Sequence, residues 1–310
     1  MSILIDTVFP VFLIILAGFL AGTFRICGSE AAKALNDFVF WFAMPCLLFK
    51  AMAVVDPQVL LNLDYLILIA ISVVLTMVIG VVLAKYLLGK RLGSATMLGL
   101  NSAYGNTGYL GIPLAFASFG DAASVPVILF VVVGSLLTIT MATIMIELDN
   151  KVAASPGRIT LDIGKAVFKN PMLLSPLVGI LYAMLPLELP SMVFNFCDIL
   201  GAAAGPCALF SLGLFLVGKP LFGDLGAISM TAVLKLLGQP LLTWGLASYV
   251  FSLPPLWTSV AILMASTPTG AGSFVLAQKY NTFVQETSTT IIWTSMISLL
   301  TISWVLGSGL

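Results

Sequence analysis

Histidine is absent from this sequence of 310 residues, and charged residues make up only 8% of it. Without histidine the chain has no His-based catalytic triad, no HExxH metal site and no histidine proton shuttle. Soluble domains carry about 25% charged residues, so a chain this poor in charge cannot cover a surface that faces water. Because hydrophobic residues make up 60% of the sequence, we interpret it as an integral membrane protein.

Cysteine is also scarce, and the four cysteines lie within or beside apolar segments, in neither a disulfide framework nor a zinc-site pattern. We therefore predict no metal site and no bound cofactor. The formal net charge is zero and no basic run is present, which argues against nucleic acid as a partner. The first apolar run lacks the basic segment of a cleaved signal peptide and is longer than its apolar part, so we predict a membrane span there.

The sequence does contain a series of apolar runs, each long enough for a helix of about 20 residues that crosses a bilayer. They predict ten spans, at residues 3–24, 32–54, 63–88, 92–118, 123–147, 171–187, 191–218, 226–251, 256–278 and 286–308. The longest polar stretch, residues 147–170, separates the fifth span from the sixth.

The basic residues are distributed unevenly between the two sides of these spans. Of the 13 Lys and Arg residues, all but Lys50 and Lys235 follow odd-numbered spans. They are Arg25, Lys33, Lys85, Lys90, Arg91, Lys151, Arg158, Lys165, Lys169, Lys219 and Lys279. The positive-inside rule makes that side cytoplasmic. We therefore predict a multi-pass protein of the cell (inner) membrane with both termini on the non-cytoplasmic side.

The chain matches itself at an offset of 161 residues. The offset places Pro10 on Pro171, Gly18 on Gly179, Asp37 on Asp198, Pro45 on Pro206, Phe49 on Phe210 and Gly111 on Gly272. Since each half holds five spans, the second half enters the membrane inverted, as in many secondary transporters. The predicted fold is all-α with ten transmembrane helices in a 5+5 inverted repeat. Residues 1–149 form the first repeat, residues 150–170 a cytoplasmic connecting loop and residues 171–310 the second repeat.

Span four contains the stretch NSAYGNTGYLGIPLA (residues 101–115), in which Gly105, Gly108, Gly111 and Pro113 predict an interrupted helix. Span nine contains ASTPTGAGSFVLA (residues 265–277), with an equivalent set of Pro and Gly. Backbone groups freed in a membrane must line a cavity or pack against protein, and half-helix N-termini favour anions. We predict that broken helices 4 and 9 cross and bind an anion. The candidate residues are Asn106, Thr107, Gly108, Gly111, Pro113, Thr267, Pro268, Thr269 and Gly270.

Three of the ionisable residues within the predicted spans are candidates for function, because charges inside a membrane are costly and commonly functional. Asp37 and Asp198 occupy matching positions in spans two and seven, and each is either a proton-coupling carboxylate or a helix-start residue with a structural hydrogen bond. Lys235 lies deeper, in span eight, where it balances a carboxylate, steers an anionic substrate or extends to the interface. These three residues are the candidates for charge balance or ion coupling.

NSAYGNTGYLGIPLAFASFG (residues 101–120) resembles the fourth span of the auxin efflux carrier family, which joins plant auxin carriers with bacterial malonate and malate permeases. LNDFVFWFAMPCLLFKAM (residues 35–52) is similar to its second span, PCALFSLGLFLVG (residues 206–218) to its seventh and VLAQKYN (residues 275–281) to the end of its ninth. The likeness covers nearly the whole chain. The short central loop and the VLAQKYN ending resemble bacterial members.

The resemblance implies ten helices arranged as a scaffold and a transport part, with crossed helices four and nine that bind a carboxylate. The resemblance implies that the carboxylate is bound by Asn106, by the Gly-Ile-Pro sequence at residues 111–113 and by Pro268 and Gly270. Span nine reads TPTGAG here, so its polar contacts differ from those of the plant carriers. A homodimer through the scaffold part is compatible with this plan.

We predict a secondary active transporter that carries a small organic carboxylate by alternating access, with lipid and the substrate as its partners and a proton or sodium as candidate coupling ion. One alternative is a sodium-coupled organic anion symporter of the bile-acid type. Span nine disfavours it, since this span offers no carboxylate and only Gln278 as an amide. A passive channel also stays open. An intramembrane enzyme is disfavoured, because no paired nucleophile and base is found.

Overall fold

The computed structural model describes residues 9–55, 62–149, 169–185, 187, 189–218 and 222–308. Within these ranges the chain is helical, and no β-strand occurs in them. The predicted connecting loop 150–170 lies outside the described residues, apart from its last two positions. Residues 3–8 of the first predicted span also lie outside them.

The described residues of the first half form seven α-helices, two π-helical turns and a 3₁₀ turn. They are α1 (Phe9–Thr23), α2 (Ser29–Phe38), π1 (Val39–Ala43), α3 (Met44–Ala53), α4 (Leu63–Tyr86), α5 (Leu92–Ala103), π2 (Thr107–Gly111), α6 (Ile112–Phe119), the 3₁₀ turn Gly120–Ala123 and α7 (Ser124–Asp149).

The described residues of the second half contain eight α-helices and one π-helical turn with defined bounds. They are α8 (Pro171–Ala183), α9 (Ser191–Ala202), α10 (Ala204–Leu216), α11 (Leu225–Val233), π3 (Leu234–Gly238), α12 (Gln239–Tyr249), α13 (Pro255–Ala265), α14 (Gly272–Lys279) and α15 (Val284–Gly307).

Six continuous helical stretches of the described chain are long and apolar enough to cross a membrane. They are Glu30–Ala53, Leu63–Tyr86, Thr107–Asp149, Ser191–Leu216, Leu225–Tyr249 and Val284–Gly307. Three shorter apolar helices accompany them. The protein is therefore an integral, multi-pass helical membrane protein, as the composition indicates.

Several helix starts follow from local polar residues. The side chains of Asn62, Asn170 and Asp224 each accept a hydrogen bond from a backbone N–H of the first turn that follows, at 3.0, 3.0 and 3.1 Å. These caps satisfy donors that a helix start leaves unpaired. They begin α4, α8 and α11 within one residue of the predicted span boundaries.

Each π-helical turn ends two residues before a proline, namely Pro45, Pro113 and Pro240. A proline lacks the N–H for the regular i→i−4 bond, and its ring clashes with the carbonyl four residues earlier. In all three cases that carbonyl lies at the centre of the π turn, where the wider ladder moves it away from the ring. These prolines therefore sit in continuous helical structure.

The helices pack as two bundles. We call α1, α2, α3, α8, α9 and α10 the first bundle, and α4 to α7 with α11 to α15 the second bundle. The principal contacts lie within each bundle, for instance α1 with α10, α3 with α8, and α4 with α5. Contacts between the bundles run mainly from α10 to π2 and α6, and from α3 to α7.

Glycines allow very close helix approach in the first bundle. A Cβ on Gly18 of α1 would lie 2.1 Å from the Phe210 carbonyl oxygen of α10. A Cβ on Gly179 of α8 would lie 2.7 Å from the Phe49 carbonyl oxygen of α3. Without side chains at these positions the backbones come into direct contact, which is the usual means of tight association between membrane helices.

Candidate functional site

Two helices of the second bundle are interrupted close to each other. Between α5 and π2 the non-helical residues are Tyr104, Gly105 and Asn106. Between α13 and α14 the non-helical stretch covers residues 266–271. Both interruptions lie inside the segments for which the sequence predicts broken helices.

The first interruption is shorter than predicted. Gly108 and Gly111 lie within π2, and Pro113 lies in the first turn of α6. These three residues do not break the helix, because π2 accommodates the proline and helical structure is already restored at Thr107. The prediction that they interrupt it is therefore wrong.

The two interruptions form an antiparallel backbone bridge between Gly105 and Thr269. The Asn106 N–H donates to the Pro268 carbonyl at 2.6 Å, and the Gly270 N–H donates to the Tyr104 carbonyl at 2.9 Å. Interrupted helices leave backbone groups that cannot be left unpaired in an apolar environment. Here each segment supplies the partners of the other.

The bridge requires glycine on both sides. A Cβ on Gly105 would lie 2.4 Å from the Thr267 hydroxyl oxygen, and one on Gly270 would lie 2.6 Å from the Tyr104 ring. The Gly270 position also has the Gly105 carbonyl oxygen at 2.7 Å. The contact of Gly270 with a backbone carbonyl cannot be relieved by a side-chain movement alone, so the crossing depends most strongly on this glycine.

The two bridging hydrogen bonds are related by a local two-fold exchange. The two-fold relation pairs Tyr104 with Pro268 and Asn106 with Gly270. The two residues of each pair are 164 positions apart in the chain. The offset that aligns the helices in sequence is 161, which would place Asn106 on Thr267. At the crossing the counterpart of Asn106 is therefore a glycine, and the second segment has no amide at that point.

On one side of the bridge, two buried polar side chains bind the carboxyl ends of the broken helices. The Lys235 ammonium donates to the Ala265 carbonyl at the end of α13, at 2.7 Å, and to the Gln239 side-chain oxygen, at 2.6 Å. The Gln239 side-chain N–H donates to the Ala103 carbonyl at the end of α5, at 3.1 Å. Both side chains are fully buried.

This environment corrects two of the roles considered for Lys235. Its side chain is 0% exposed and does not extend to an interface. Its hydrogen-bond partners are an amide and a carbonyl, and the ion pairs within the described residues are Lys50 with Asp198 and Lys90 with Asp224. Within the described residues, Lys235 therefore forms no ion pair with a carboxylate.

Gln239 was not among the predicted site residues, and the signal that indicates it is its spacing from Lys235. Gln239 follows Lys235 by four residues in an apolar helical segment, which brings two polar side chains to neighbouring positions on one helix face. Asn101 was also missed. Its carbonyl accepts from the Thr269 hydroxyl at 2.8 Å, and its amide donates to the Thr287 hydroxyl at 3.0 Å.

On the other side of the bridge lies a cavity of 690 Å³ between the two bundles. Its walls are mainly apolar and come from α2, π1, α8 and α10 of the first bundle and from α7, π2 and α14 of the second. Of the predicted residues, five line it: Asp37, Asn106, Thr107, Gly108 and Gly270.

Asn106 lies beside the bridge and lines the cavity. The residue is only 4% exposed, and its amide nitrogen has no hydrogen-bond partner among the described residues. Its backbone carbonyl accepts from Leu110 and Gly111, so the residue begins π2. The N–H groups of the following turn carry the positive end of the helix dipole. The unpaired Asn106 amide and these N–H groups are donors of the kind that bind an anion.

The remaining candidates of the crossing serve the backbone. Thr267 donates its hydroxyl to the Met264 carbonyl at 2.7 Å, and the Thr269 N–H donates to the Thr294 hydroxyl at 3.1 Å. Pro268 supplies the carbonyl for the bridge. Together with Gly111 and Pro113, these residues do not line the cavity.

The two aspartates, which match in sequence, have different surroundings. Asp37 lies on α2 and lines the cavity. Asp198 lies on α9, where its side chain is 59% exposed and forms an ion pair with Lys50 at the end of α3. Only Asp37 is placed beside the candidate site.

Comparison with known proteins identifies a family and several relatives. A family described as "Membrane transport protein" matches residues 3–306. A "Putative malonate transporter" of Rhizobium meliloti (strain 1021) is 30% identical over 299 residues, which cover 96% of this chain and 93% of that protein. "Auxin efflux carrier component 8" of Arabidopsis thaliana is 26% identical over 344 residues, which cover 94% and 93%. These relatives are named as transporters, not as enzymes.

Proposed function

This chain belongs to the membrane transport protein family, that of the auxin efflux carriers, and from that premise we propose that it is a secondary active transporter of a small organic carboxylate. It works by alternating access, with the substrate bound where the two interrupted helices cross. The observation that carries the proposal is the unpaired, buried amide of Asn106, a residue that lines the cavity between the bundles.

Two further features support an anion at this position. The amide nitrogen of Asn106 donates to a carboxylate oxygen, and the first N–H groups of π2 add further donors. The start of α14 at Gly272 also borders the cavity, so a second positive helix end faces the same space. Malonate and malate are candidate substrates, since one relative is named as a malonate transporter. The mainly apolar walls also suit an acid with an apolar remainder.

The proposed architecture is ten transmembrane helices in a 5+5 inverted repeat, with residues 1–149 and 171–310 as the repeats. The glycine contacts support it: Gly18 meets Phe210 and Gly179 meets Phe49, and the offset of 161 converts each pair into the other. The local two-fold bridge at the crossing is a second support. In this proposal both termini are non-cytoplasmic, and the first bundle is the scaffold, available for a homodimer contact.

Alternating access is supported by the location of the cavity. Since the two bundles share few contacts and the cavity lies between them, one bundle can move against the other without disrupting its own core. Asp37 is the candidate for proton coupling, because it lines the cavity. Asp198, paired with Lys50, is not.

The test is uptake into proteoliposomes of malonate, malate and indole-acetate, with and without proton or sodium gradients. We expect saturable uptake of one acid. Asn106→Ala should raise its KM roughly 10-fold to 100-fold, since a hydrogen bond to a charged group contributes about 1.5–3 kcal/mol. The control is Asn62→Ala, the same change at a helix cap outside the cavity, which should leave KM unchanged. An unchanged KM for Asn106→Ala would show that the substrate binds elsewhere.

A further inference from the structure

Lys235 is a cation buried completely within the second bundle. Its side chain has no exposed surface, and its ammonium contacts two oxygens, the Ala265 carbonyl and the Gln239 side-chain oxygen. A buried charge without a partner is very costly. Since no carboxylate bonds to Lys235 within the described residues, its stabilisation must come from these oxygens and from the surrounding dipoles.

The dipoles are those of the two broken helices. α13 ends at Ala265, whose carbonyl accepts directly from Lys235. α5 ends at Ala103, whose carbonyl is held by Gln239, the other partner of Lys235. Both helices therefore direct their negative ends at the same place, where a positive charge is favoured.

This place has the properties of a site for a hard monovalent cation. Such ions take oxygen ligands from carbonyls and amides. In carriers built from discontinuous helices, half-helix carboxyl ends and unwound carbonyls are the groups that coordinate a coupling sodium. Here an ammonium on a side chain fills the position. It is presented by π3, a rare helix type that recurs at functional sites.

We propose that Lys235 is a built-in substitute for an inorganic coupling cation. Its ammonium occupies a cation site formed by Gln239 and the carboxyl ends of α5 and α13. The ammonium also lies directly behind the bridge, since a Cβ on Gly105 would be 3.2 Å from its nitrogen. The Lys235 ammonium thus supplies a positive charge at the crossing, and no sodium ion has to bind there before the anion does.

Two consequences follow, and they are separable. The wild-type protein needs no sodium for transport, a statement that rests on the proposed carrier function. Removal of the ammonium leaves an empty site that accepts a small cation, and this statement does not depend on any substrate. If the second is observed while no acid is transported, the cation site stands and the carboxylate proposal fails.

The experiment measures thermal unfolding of the purified protein in sodium, potassium, ethylammonium or choline chloride at equal ionic strength. Wild type should show the same melting temperature in all four. Lys235→Ala should melt lower in choline, and sodium or ethylammonium should restore about 5 °C when present at roughly 100 times its dissociation constant. Lys235→Met is the matched control: it lacks the charge but fills the space, and no cation should stabilise it.

Saturable stabilisation of the wild type by sodium would overturn the proposal. A Lys235→Ala protein that folds, but whose melting temperature rises with none of the small cations, would overturn it as well. If Lys235→Ala does not fold, transport by the wild type decides. Uptake that is equal in sodium and in choline supports the substitution of the cation by Lys235, and uptake that requires sodium contradicts it.

Discussion

The two interrupted segments that cross in this protein have matching backbones and different chemistry. Each contributes one N–H and one carbonyl to the bridge, at 2.6 and 2.9 Å. The first segment, Tyr104 to Asn106, also includes Asn106, which lines the cavity and whose buried amide nitrogen has no hydrogen-bond partner among the described residues. The second segment, residues 266–271, is longer and uses its hydroxyls for its own backbone and that of α5. The fold therefore needs both segments, whereas the substrate contact that we propose involves mainly the first.

This asymmetry has a steric cause. Gly270 is the counterpart of Asn106 at the bridge, and any side chain there would collide with Tyr104 and with the Gly105 carbonyl. A second amide cannot be placed at position 270 while Tyr104 keeps its position. The large ring on the first segment thus determines that the second remains glycine.

The largest effect is expected from breaking the bridge itself. Gly270→Ala should destabilise the protein by roughly 2–3 kcal/mol, because the added methyl group has no room beside Tyr104. Gly245→Ala is the control, since a Cβ there meets nothing within 4 Å and alanine favours a helix. Thermal unfolding of both variants tests this. Equal melting temperatures would show that the crossing is not sterically constrained.

The next effect concerns the carboxyl ends behind the bridge. Gln239→Met removes the donor to Ala103 and one partner of Lys235. Leaving a buried carbonyl and part of a buried ammonium unsatisfied should cost about 1–3 kcal/mol, again measurable by thermal unfolding. The contrast is Gln285→Met, whose amide bonds to the Phe222 carbonyl at the surface and should matter little. An unchanged melting temperature for Gln239→Met would mean that water or another group caps the carboxyl ends of these helices.

A comparison of the two segments in transport should separate recognition from support. Thr267→Val removes a hydroxyl that donates to the Met264 carbonyl and does not line the cavity. We expect a loss of about 1 kcal/mol in stability and an unchanged substrate KM, in contrast to the rise expected for Asn106→Ala. The measurement is the KM of uptake for both variants, which shows whether each segment contacts the substrate. A matching rise in KM for Thr267→Val would assign recognition to both segments.

The smallest effect lies outside the crossing, at the start of α11, the helix that leads to Lys235. The hydrogen bond from Lys90 lowers the pKa of Asp224. The pair therefore stabilises the fold fully at pH values above the ordinary aspartate pKa. This stabilisation is lost as the pH falls through the lowered pKa of Asp224. Asp224→Asn keeps the cap acceptor but removes the charge. The partly exposed pair should contribute less than about 1 kcal/mol at neutral pH. Unfolding midpoints measured between neutral and acidic pH should converge for variant and wild type.

Much of the fold could be predicted from the sequence. Helix ends follow local signals, such as the caps at Asn62 and Asp224, and span lengths follow from hydropathy over about 20 residues. The presence of two interruptions was predictable from clustered Gly and Pro. Their exact extent was not, because the effect of Pro113 depends on whether the preceding turn is α or π.

The candidate site was predictable in part. Asn106 was identified from the resemblance and from its position in the interrupted segment, and the structure leaves its amide unpaired at the cavity. Thr269 looked equally suitable in sequence, yet its hydroxyl bonds to the carbonyl of Asn101. Two polar residues in similar local contexts thus have different roles, which only their distant neighbours distinguish.

The sequence by itself determined that this protein is a helical membrane protein of a transport family, where several of its spans begin, and that two of its helices are interrupted. These properties depend on composition and on residues close together in the chain. Only the tertiary structure decided that Gly270 is the counterpart of Asn106 at the bridge. It also decided that Lys235 and Gln239 bind the carboxyl ends of both broken helices. Finally, it placed Asp37 rather than Asp198 at the cavity. The physical reason is that a buried polar group must find its partner wherever packing places one, at any separation along the chain.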